Sequence, residues 1–165
     1  MDVERSQSAG ATRRRLSADS QFVKKDCMCA EILVVDDDMF NLFTMENLLG
    51  SLGFKIAKAN NGEDSIKVVK RRSELKCSPQ CVPFKIIFMD LSMPIMDGFQ
   101  ATLALKELMK DGVVAEIPIV ACTAFVDQDK TEKCYECGME GRISKPVNKN
   151  KLREVLKKYG IVQQD

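Results

Sequence analysis

Carboxylates stand at the ends of two apolar segments of this chain. The run Ile32 to Val35 leads into three consecutive aspartates, Asp36 to Asp38, and the run Lys85 to Met89 leads into Asp90. A buried strand rarely ends on an unpaired charge, because a carboxylate taken out of water without a partner is costly. Clustered acids suit a divalent metal ion, which relieves their repulsion and shields an incoming phosphoryl group. The pattern therefore predicts a site for a metal and a phosphoryl group.

Strand-like and helix-like periods alternate from Glu31 to the end of the chain. This alternation predicts an α/β fold, in which parallel strands are joined by right-handed crossovers through helices. A fourth helix, over about Asp127 to Cys137, is the poorest in apolar residues. The predicted strands are Ile32 to Val35, Phe54 to Ala59, Lys85 to Met89, Ile117 to Cys122 and Arg142 to Ser144.

Five polar side chains fall at or just beyond the carboxyl ends of the predicted strands: Asp36, Asp37, Asp90, Thr123 and Lys145. Parallel strands all point the same way, so these ends share one edge of the sheet. Open α/β sheets bind ligands at that edge. We therefore expect the five side chains to form one site, although they are far apart in the sequence.

Composition limits the classes of partner. The 165 residues are 45% hydrophobic, which suits one globular domain with a tail. The chain has 25 Lys and Arg against 24 Asp and Glu, so its net charge of +1 gives no electrostatic argument for a nucleic acid or a membrane. No apolar run approaches the roughly 20 residues of a membrane helix, and the first residues lack the apolar core of a signal peptide. A cytoplasmic location is expected.

Histidine is absent from the sequence. This absence excludes Ser-His and Cys-His nucleophile pairs and His-ligated zinc in these residues. It also means that any phosphohistidine in the chemistry must come from a partner.

The seven cysteines are expected to be reduced, because their number is odd and no secretory signal is present. Three close pairs could each offer two thiolates, but zinc requires four converging ligands, and the spacings match no standard zinc module. They are interpreted as small apolar residues. The pairs are Cys27 with Cys29, Cys77 with Cys81, and Cys134 with Cys137.

Four motifs in this order resemble those of the receiver domain of two-component response regulators, especially receivers of hybrid sensor histidine kinases. The resemblance covers about Glu31 to Tyr159 and implies a flavodoxin-like (βα)5 fold, a doubly wound parallel sheet with strand order 2-1-3-4-5. Residues 1–29 are then a tail or linker, 30–161 the receiver, and 162–165 a short tail. The motifs are Ile32-Leu-Val-Val-Asp36-Asp37-Asp38, Phe88-Met-Asp90-Leu-Ser-Met-Pro-Ile-Met-Asp97-Gly98, Val120-Ala-Cys-Thr123-Ala124 and Ile143-Ser-Lys145-Pro146.

The resemblance implies a role for each acidic residue. Asp90 would be the phosphoacceptor, since a carboxylate can attack phosphorus and become an acyl phosphate. Asp37 and Asp90 would be direct Mg²⁺ ligands, Asp36 would act through water, and the backbone carbonyl of Ser92 would complete the protein's share. Asp38 is left as a solvated neighbour.

The resemblance also assigns the remaining polar groups. Lys145 would pair with Asp90 at rest and with the phosphoryl group afterwards, and the bond from Lys145 to Pro146 would be cis. Thr123 would donate its hydroxyl to a phosphoryl oxygen. Asp97 is expected to be the N-cap of the third helix rather than a catalytic group.

Two variable positions affect signalling rather than phosphate acceptance. Arg142 stands where receivers often carry Tyr or Phe, so the aromatic member of the threonine-aromatic switch is missing and the coupling to an output face is open. Phe125 lies two residues past Thr123. With the small Ser92, it is predicted to restrict water near the acyl phosphate and to lengthen its lifetime.

The favoured function is a phosphorelay switch, rather than a turnover enzyme, that takes a phosphoryl group onto Asp90 from a histidine kinase or histidine phosphotransfer protein. A haloacid-dehalogenase-like phosphatase is an alternative, because Asp36-x-Asp38 mimics its nucleophile motif, although Phe40 and the lack of an acidic pair after Lys145 do not fit. A non-phosphorylated, protein-binding receiver is another. The sequence leaves open a stand-alone receiver, a relay intermediate and the C-terminal piece of a hybrid kinase.

Overall fold

The computed structural model describes residues 29–77, 81–124 and 127–163. The predicted tail up to residue 28 and the variable residue Phe125 lie outside these ranges. Within them, strands and helices alternate as predicted. The elements are β1 Ile32–Val35, α1 Met39–Gly50, β2 Ile56–Ala59, α2 Gly62–Glu74, β3 Ile86–Asp90, α3 Gly98–Lys110, β4 Ile119–Thr123, α4 Gln128–Glu136, β5 Gly141–Ser144 and α5 Lys149–Lys158.

The five strands form one parallel sheet in the order β2-β1-β3-β4-β5. This order confirms the predicted flavodoxin-like (βα)5 fold. The chain passes from β1 to its neighbour β2, then returns past β1 to β3 on the other side. From β3 it continues away from β1 through β4 to β5. The helices therefore lie on both faces, and β1 and β3 flank the point where the strand order reverses. Ligands bind outside the carboxyl ends of strands at such a point.

The central strands are apolar up to their last residues because both of their faces are covered. Every residue of β1, β3 and β4 is buried, whereas β2 and β5 at the edges are partly exposed. Successive side chains of a strand point to opposite faces. Accordingly Leu33 and Val35 pack with α2, α3 and α4, while Ile32 and Val34 pack with α1 and α5.

The two helical layers bury their apolar stripes against the sheet. Leu42, Met45 and Leu49 of α1 are buried, as the sequence period predicts. On the same face lies Phe88 of β3, which is fully buried, so that truncating it to Ala would cost about 3–5 kcal/mol. Val162 also packs against this cluster. No helix among the described residues has the length and apolar character needed to cross a membrane.

Each of the five helices in the described ranges is preceded by an Asp or Asn whose side chain accepts a backbone N–H of the first turn. Such caps stabilise a helix by about 1 kcal/mol each. The prediction that Asp97 caps α3 is confirmed, and Gln100 completes a capping box there. Asp38, expected only to be solvated, caps α1 through the N–H of Phe40. The caps are Asp38, Asn61, Asp97, Asp127 and Asn148.

Strand boundaries differ from the prediction by one or two residues. Strands β3 and β4 each extend one residue further, because the hydrogen-bonded ladder continues onto polar residues that an apolar pattern does not mark. Asp90 is thus a strand residue that pairs with Cys122. Strand β4 starts two residues later than predicted, after Pro118, which has no N–H for the ladder. At the edges, β2 begins at Ile56 rather than Phe54, and β5 begins one residue earlier, at Gly141.

Candidate functional site

Four of the predicted site residues meet at the carboxyl edge of the sheet. Asp90 and Thr123 are the last residues of β3 and β4, and Asp36 and Lys145 directly follow β1 and β5. The backbone fixes Lys145 there, since its N–H donates to the carbonyl of Thr123 at 2.8 Å. The bond between Lys145 and Pro146 is cis, as predicted.

Lys145 lies between two carboxylates. Its Nζ is 2.9 Å from Oδ1 of Asp90 and 2.7 Å from Oδ2 of Asp36. The Asp90 contact is the one that the sequence predicted for the resting state, and the Asp36 contact is additional. One ammonium therefore neutralises part of the charge of both acids, and charge-assisted bonds of this kind are among the stronger ones in proteins.

The carboxylate of Asp36 is held by several other groups. Oδ1 accepts the backbone N–H of Asp38 at 2.9 Å, and the side-chain amide of Asn41 donates to Oδ1 and Oδ2 at 3.1 and 3.2 Å. Asn41 was missed in the sequence, where it looks like an ordinary residue of the first turn of α1. With Lys145, these donors direct the lone pairs of Asp36 toward the protein. That arrangement does not favour Asp36 as a nucleophile.

Asp36, Asp37 and Asp90 form an acidic cluster. One oxygen from each can be chosen so that all three lie within 4.8 Å of one another. Asp36 and Asp90 are buried, whereas Asp37 is exposed. Carboxylate oxygens are the ligands of hard cations, and Mg²⁺ keeps several waters, which an exposed ligand permits. The donor set therefore fits a magnesium ion.

The electrostatics of the site couple the acids to the lysine. Burial raises the pKa of Asp90, the Lys145 ammonium lowers it, and the charges of Asp36 and Asp37 raise it, with a net increase. Burial alone would lower the pKa of Lys145, but its bonds to Asp36 and Asp90 and their charges outweigh this effect and raise it. Lys145 is therefore charged at neutral pH, and ionised Asp90 needs a cation beside it.

A cavity of about 190 Å³ opens beside Asp90. The predicted phosphoacceptor Asp90, the predicted hydroxyl donor Thr123 and Lys145 all line its wall. Ser92, which is exposed, lies on the same wall. The lining residues are Asp90, Leu91, Ser92, Phe99, Thr123, Ala124, Lys130 and Lys145.

Gly98 allows α3 to start directly against this site. Its N–H donates to the carbonyl of Leu91 at 3.1 Å, and a Cβ at this position would lie 2.1 Å from the carbonyl oxygen of Asp90. No side chain fits there without moving the end of β3. The Asp97-Gly98 pair thus serves to position the helix and the loop after Asp90.

Arg142 lies outside this cluster. Its guanidinium donates to the hydroxyl of Thr131 on α4. The position where an aromatic residue was expected therefore connects β5 to α4.

The chain matches the family profile of the response regulator receiver domain over residues 32–157. The fold and the acidic cluster define the class, and the match defines the family: the chain belongs to the response regulator receiver domains of two-component and phosphorelay systems.

Curated relatives are histidine kinases that contain a segment similar to this chain. Hybrid signal transduction histidine kinase L of Dictyostelium discoideum is 31% identical over 148 residues, which are 90% of this chain and 8% of that protein. Sensor histidine kinase RcsC of Salmonella typhi is 33% identical over 128 residues, or 78% of this chain and 12% of that protein. The chain thus spans only a small part of the length of these relatives.

Solved receiver domains share the fold. The receiver domain of the histidine kinase CKI1 from Arabidopsis thaliana, complexed with Mg²⁺, is 26% identical with a TM-score of 0.67, covering 78% of this chain and 90% of that one. The receiver domain of sensor histidine kinase PA1611 from Pseudomonas aeruginosa has a magnesium ion in its active site cleft. It is 28% identical with a TM-score of 0.64, covering 79% of this chain and 96% of that one.

Proposed function

We propose that the chain accepts a phosphoryl group from a partner's phosphohistidine onto Asp90 and changes conformation in response. The observation that carries this proposal is the state of the Asp90 carboxylate. Lys145 binds Oδ1, while Oδ2 accepts no hydrogen bond from the described part of the chain. One oxygen is therefore held and neutralised, and the other is available to attack phosphorus.

The transfer is an in-line displacement at phosphorus. A lone pair of Asp90 forms the new P–O bond as the P–N bond to the donor imidazole breaks. The electron pair of that bond goes to the imidazole nitrogen, which takes a proton from solvent. Hydrolysis later returns the carboxylate when water attacks the acyl phosphate. The domain is thus a switch with its own phosphorylation and dephosphorylation chemistry, not a turnover enzyme.

Mg²⁺ is the proposed cofactor. Asp37 and Asp90 would hold it directly, Asp36 through water, and Ser92 through its backbone carbonyl. When bound, the ion shields the phosphoryl oxygens from the surrounding carboxylates. The acidic cluster and the magnesium in two similar receivers support this assignment.

Lys145 and Thr123 are proposed to hold the transferred group. Both lie on the wall of the cavity beside Asp90. The Lys145 ammonium would remain with the new anion as a point charge, and the Thr123 hydroxyl would donate to a phosphoryl oxygen. Movement of Thr123 toward the phosphoryl group would pull on the end of β4.

The change of shape is proposed to reach α4 through Thr123 and Arg142. Thr123 pairs with Ser144 across the β4–β5 ladder, two residues from Arg142. Arg142 in turn contacts Thr131 on α4. This link would replace the aromatic residue that other receivers use.

The lifetime of the acyl phosphate is proposed to depend on Ser92 and Phe125. Ser92 is small and exposed on the wall of the cavity. Replacing Phe125 with Glu would introduce a polar group that can orient water, so we expect faster dephosphorylation. An unchanged dephosphorylation rate would contradict the proposed role of Phe125 in the lifetime of the acyl phosphate.

The donor is proposed to be a histidine kinase or a histidine phosphotransfer protein. The sequence has no histidine, so the donor imidazole lies outside these residues, in a separate protein or another part of a longer one. Met39, Phe40 and Phe43 at the start of α1 are 66%, 74% and 62% exposed. Phe40 shares a small cavity with Asp36 and Lys145, which places this apolar patch next to the site. Such patches mark protein interaction surfaces.

The proposal is tested by intact mass after incubation with Mg²⁺ and acetyl phosphate. Wild type should gain one phosphoryl group that hydroxylamine removes, and Asp90→Asn should gain none. Asp38→Asn is the matched control, because Asn caps a helix as well as Asp and this exposed acid lies outside the cluster. It should be phosphorylated like wild type.

Two outcomes would contradict the proposal. An adduct that persists in Asp90→Asn but is lost in Asp36→Asn would support the phosphatase alternative. No adduct on any variant, with Mg²⁺ and donor in excess, would support a domain that only binds proteins.

A further inference from the structure

Three cysteines converge at the end of the sheet opposite the acidic cluster. Cys29 precedes β1, and Cys77 and Cys81 lie in the connection from α2 to β3. The Sγ of Cys29 is 3.2 Å from that of Cys77 and 3.5 Å from that of Cys81. All three sulfur atoms lie within 4.8 Å of one another. The sequence spacings match no standard zinc module and were interpreted as small apolar residues, but the fold brings together cysteines that are 48 and 52 positions apart.

These separations suit a shared metal ion better than a disulfide. A disulfide bond is about 2.05 Å long, which is much shorter than either contact. Thiolates at about 2.3 Å from one tetrahedral zinc lie roughly 3.8 Å from each other. A small adjustment of the three side chains would bring them to that spacing.

Arg72 of α2 holds Cys81 in place. Its Nη1 donates to the sulfur of Cys81 at 2.6 Å, and its Nη2 donates to the carbonyl of Val82 at 2.8 Å. The guanidinium also lies over the ring of Phe84, 5.8 Å from its centroid. Donors that bind metal ligands orient them and stabilise their charged form.

The surroundings of Cys81 also favour the thiolate. A hydrogen bond from the backbone of Cys77, with further bonds from Arg72, Cys29 and Cys77, lowers the pKa of Cys81 to about 6 against the opposing effect of burial. By contrast, burial raises the pKa of Cys122 in β4 to about 12. The contacts of Cys81 with the guanidinium of Arg72 and the sulfur of Cys29 distinguish it from a cysteine that only fills space in the core.

We propose that Cys29, Cys77 and Cys81 are three ligands of a zinc ion. Soft thiolates select Zn²⁺, whereas the carboxylates at the other edge select a hard cation, so the two sites would hold different metals. Among the described residues the cluster consists of these three. Cys27 lies two positions before Cys29, outside the described residues.

Zinc at this place would tie the start of β1 to the connection that leads into β3. Their neighbours are already joined, since Lys85 donates from its backbone and from its Nζ to Glu31, at 2.8 and 2.7 Å. A metal bound only by the folded chain stabilises it. The site would therefore be structural and would leave the Asp90 chemistry intact.

The test uses the full 165-residue chain, purified with a phosphine reductant and without added metal. Elemental analysis and native mass spectrometry should find about one Zn²⁺ per chain. Replacing the zinc with Co²⁺ should give the intense near-ultraviolet band of cobalt–thiolate charge transfer, which carboxylates do not produce. Chelation should lower the unfolding temperature of wild type.

Cys77→Ser/Cys81→Ser should lose the zinc and the cobalt band. The matched control is Cys134→Ser/Cys137→Ser, which removes another pair at close spacing and should keep both. Acetyl phosphate labelling of Asp90 in the first variant reports that the domain is still folded.

The proposal would be overturned by wild type that binds no zinc and gives no cobalt–thiolate band. Metal retained by the Cys77→Ser/Cys81→Ser variant, or lost from a control that is still labelled at Asp90 by acetyl phosphate, would also overturn it. So would a disulfide within the cluster that persists in the presence of the reductant, seen as the loss of two hydrogens from the intact mass. Measurements on wild type remain decisive even if a variant does not fold.

Discussion

Lys145 and Asp90, 55 residues apart in the sequence, are joined by a 2.9 Å bond from Nζ to Oδ1 at the carboxyl edge of the sheet. The same ammonium binds Asp36, so it lies between the two buried acids of the cluster. Only 20% of the Lys145 side chain is exposed. The lysine therefore offsets carboxylate charge that water screens poorly.

Lys145→Gln should lower both stability and phosphorylation. The pKa of Lys145 is raised, so its contribution to stability is complete below the pKa of the unfolded lysine and is lost only as the pH rises through the higher folded value. At pH 7 we expect a loss of about 2 kcal/mol in urea unfolding, because one partner of a partly buried pair is removed. Phosphorylation by acetyl phosphate should slow about tenfold or more.

Lys149→Gln is the control for this prediction. Among the described residues that lysine makes a single 3.4 Å hydrogen bond, to the carbonyl of Ser51, and it lies outside the acidic cluster. It should unfold and react like wild type. Equal stability of the Lys145→Gln and Lys149→Gln variants would show that the bonds of Lys145 to Asp36 and Asp90 together contribute nothing to stability.

Asp90→Asn should stabilise the metal-depleted domain at neutral pH. Folding raises the pKa of Asp90, so the folded state binds this proton more tightly than the unfolded state. The contribution of Asp90 to stability is therefore greatest at low pH and falls as the pH rises from the unfolded to the folded pKa. In urea unfolding with EDTA, the variant should exceed wild type at pH 7, and the difference should vanish under acidic conditions. A less stable variant at pH 7 would contradict this sign.

Mg²⁺ should make wild type more stable than Asp90→Asn, which is the reverse of the order expected in EDTA. A ligand at a hundred times its dissociation constant stabilises the folded state by about 2.7 kcal/mol. Mg²⁺ should stabilise wild type by about this free energy, as measured by thermal unfolding. It should stabilise Asp37→Asn much less, because that variant lacks one proposed ligand. Asp97→Asn is the control, because it keeps the cap of α3 and lies outside the cluster. Equal gains in all three proteins would place the ion elsewhere.

The resemblance to receiver domains implied the sheet order, whereas local strand patterns placed the four polar residues that meet at the edge of the sheet, because the ends of parallel strands share one edge. Asp90 and Thr123 could be placed in this way. Asn41 could not, since only the folded backbone shows that it reaches the Asp36 carboxylate. The contact of Cys29 with Cys77 was missed for the same reason. It depends on a loop conformation that no spacing rule encodes.

Phe40→Ala should separate recognition of the donor from the chemistry. Phe40 is 74% exposed beside the acidic cluster but belongs neither to the proposed metal ligands nor to the phosphoryl-binding residues. Loss of an exposed aromatic anchor costs an interface about 1–2 kcal/mol, or roughly tenfold in affinity. Transfer from a phosphorylated histidine phosphotransfer protein should slow by about this factor, with labelling by acetyl phosphate unchanged.

Leu103→Ala is the matched control for Phe40. Leu103 is also apolar and 56% exposed, but it lies on α3. It should transfer at the wild-type rate. If Leu103→Ala slowed transfer and Phe40→Ala did not, the docking surface would lie on α3 instead.

Arg142→Ala should loosen α4 without affecting phosphate acceptance. Among the described residues of this short helix only Cys134 is buried. Surface contacts therefore contribute more to the stability of α4 than they do in the other helices. The lost bond to Thr131 is exposed, and its loss is expected to cost about 1 kcal/mol or less. Amide hydrogen exchange should rise in Gln128–Glu136 and stay constant in β3. Arg153→Ala, an exposed arginine on α5, should leave both unchanged. Unaltered exchange in α4 would show that the bond does not restrain it.

Ile95→Gly should stabilise the domain. Ile95 has φ of 72°, a conformation that is strained for a β-branched residue, and it is 75% exposed. The N–H of Met96 donates to the carbonyl of Pro94 at 2.8 Å, so Ile95 is the centre of a three-residue turn in the loop after Asp90. Left-handed backbone costs a residue with a Cβ about 1–2 kcal/mol, and glycine loses roughly half of this gain to its greater freedom when unfolded.

The surrounding backbone keeps Ile95 in this conformation. The carbonyl of Met96 accepts the N–H of Gly62 at 3.1 Å, which ties the loop to the start of α2. Ile95→Gly should therefore raise the free energy of unfolding by about 0.5–1 kcal/mol. Ile95→Ala loses a similar exposed apolar side chain but keeps a Cβ, so it should gain less. If both variants gained equally in urea unfolding, exposure of the isoleucine, and not its backbone, would be the source of the cost.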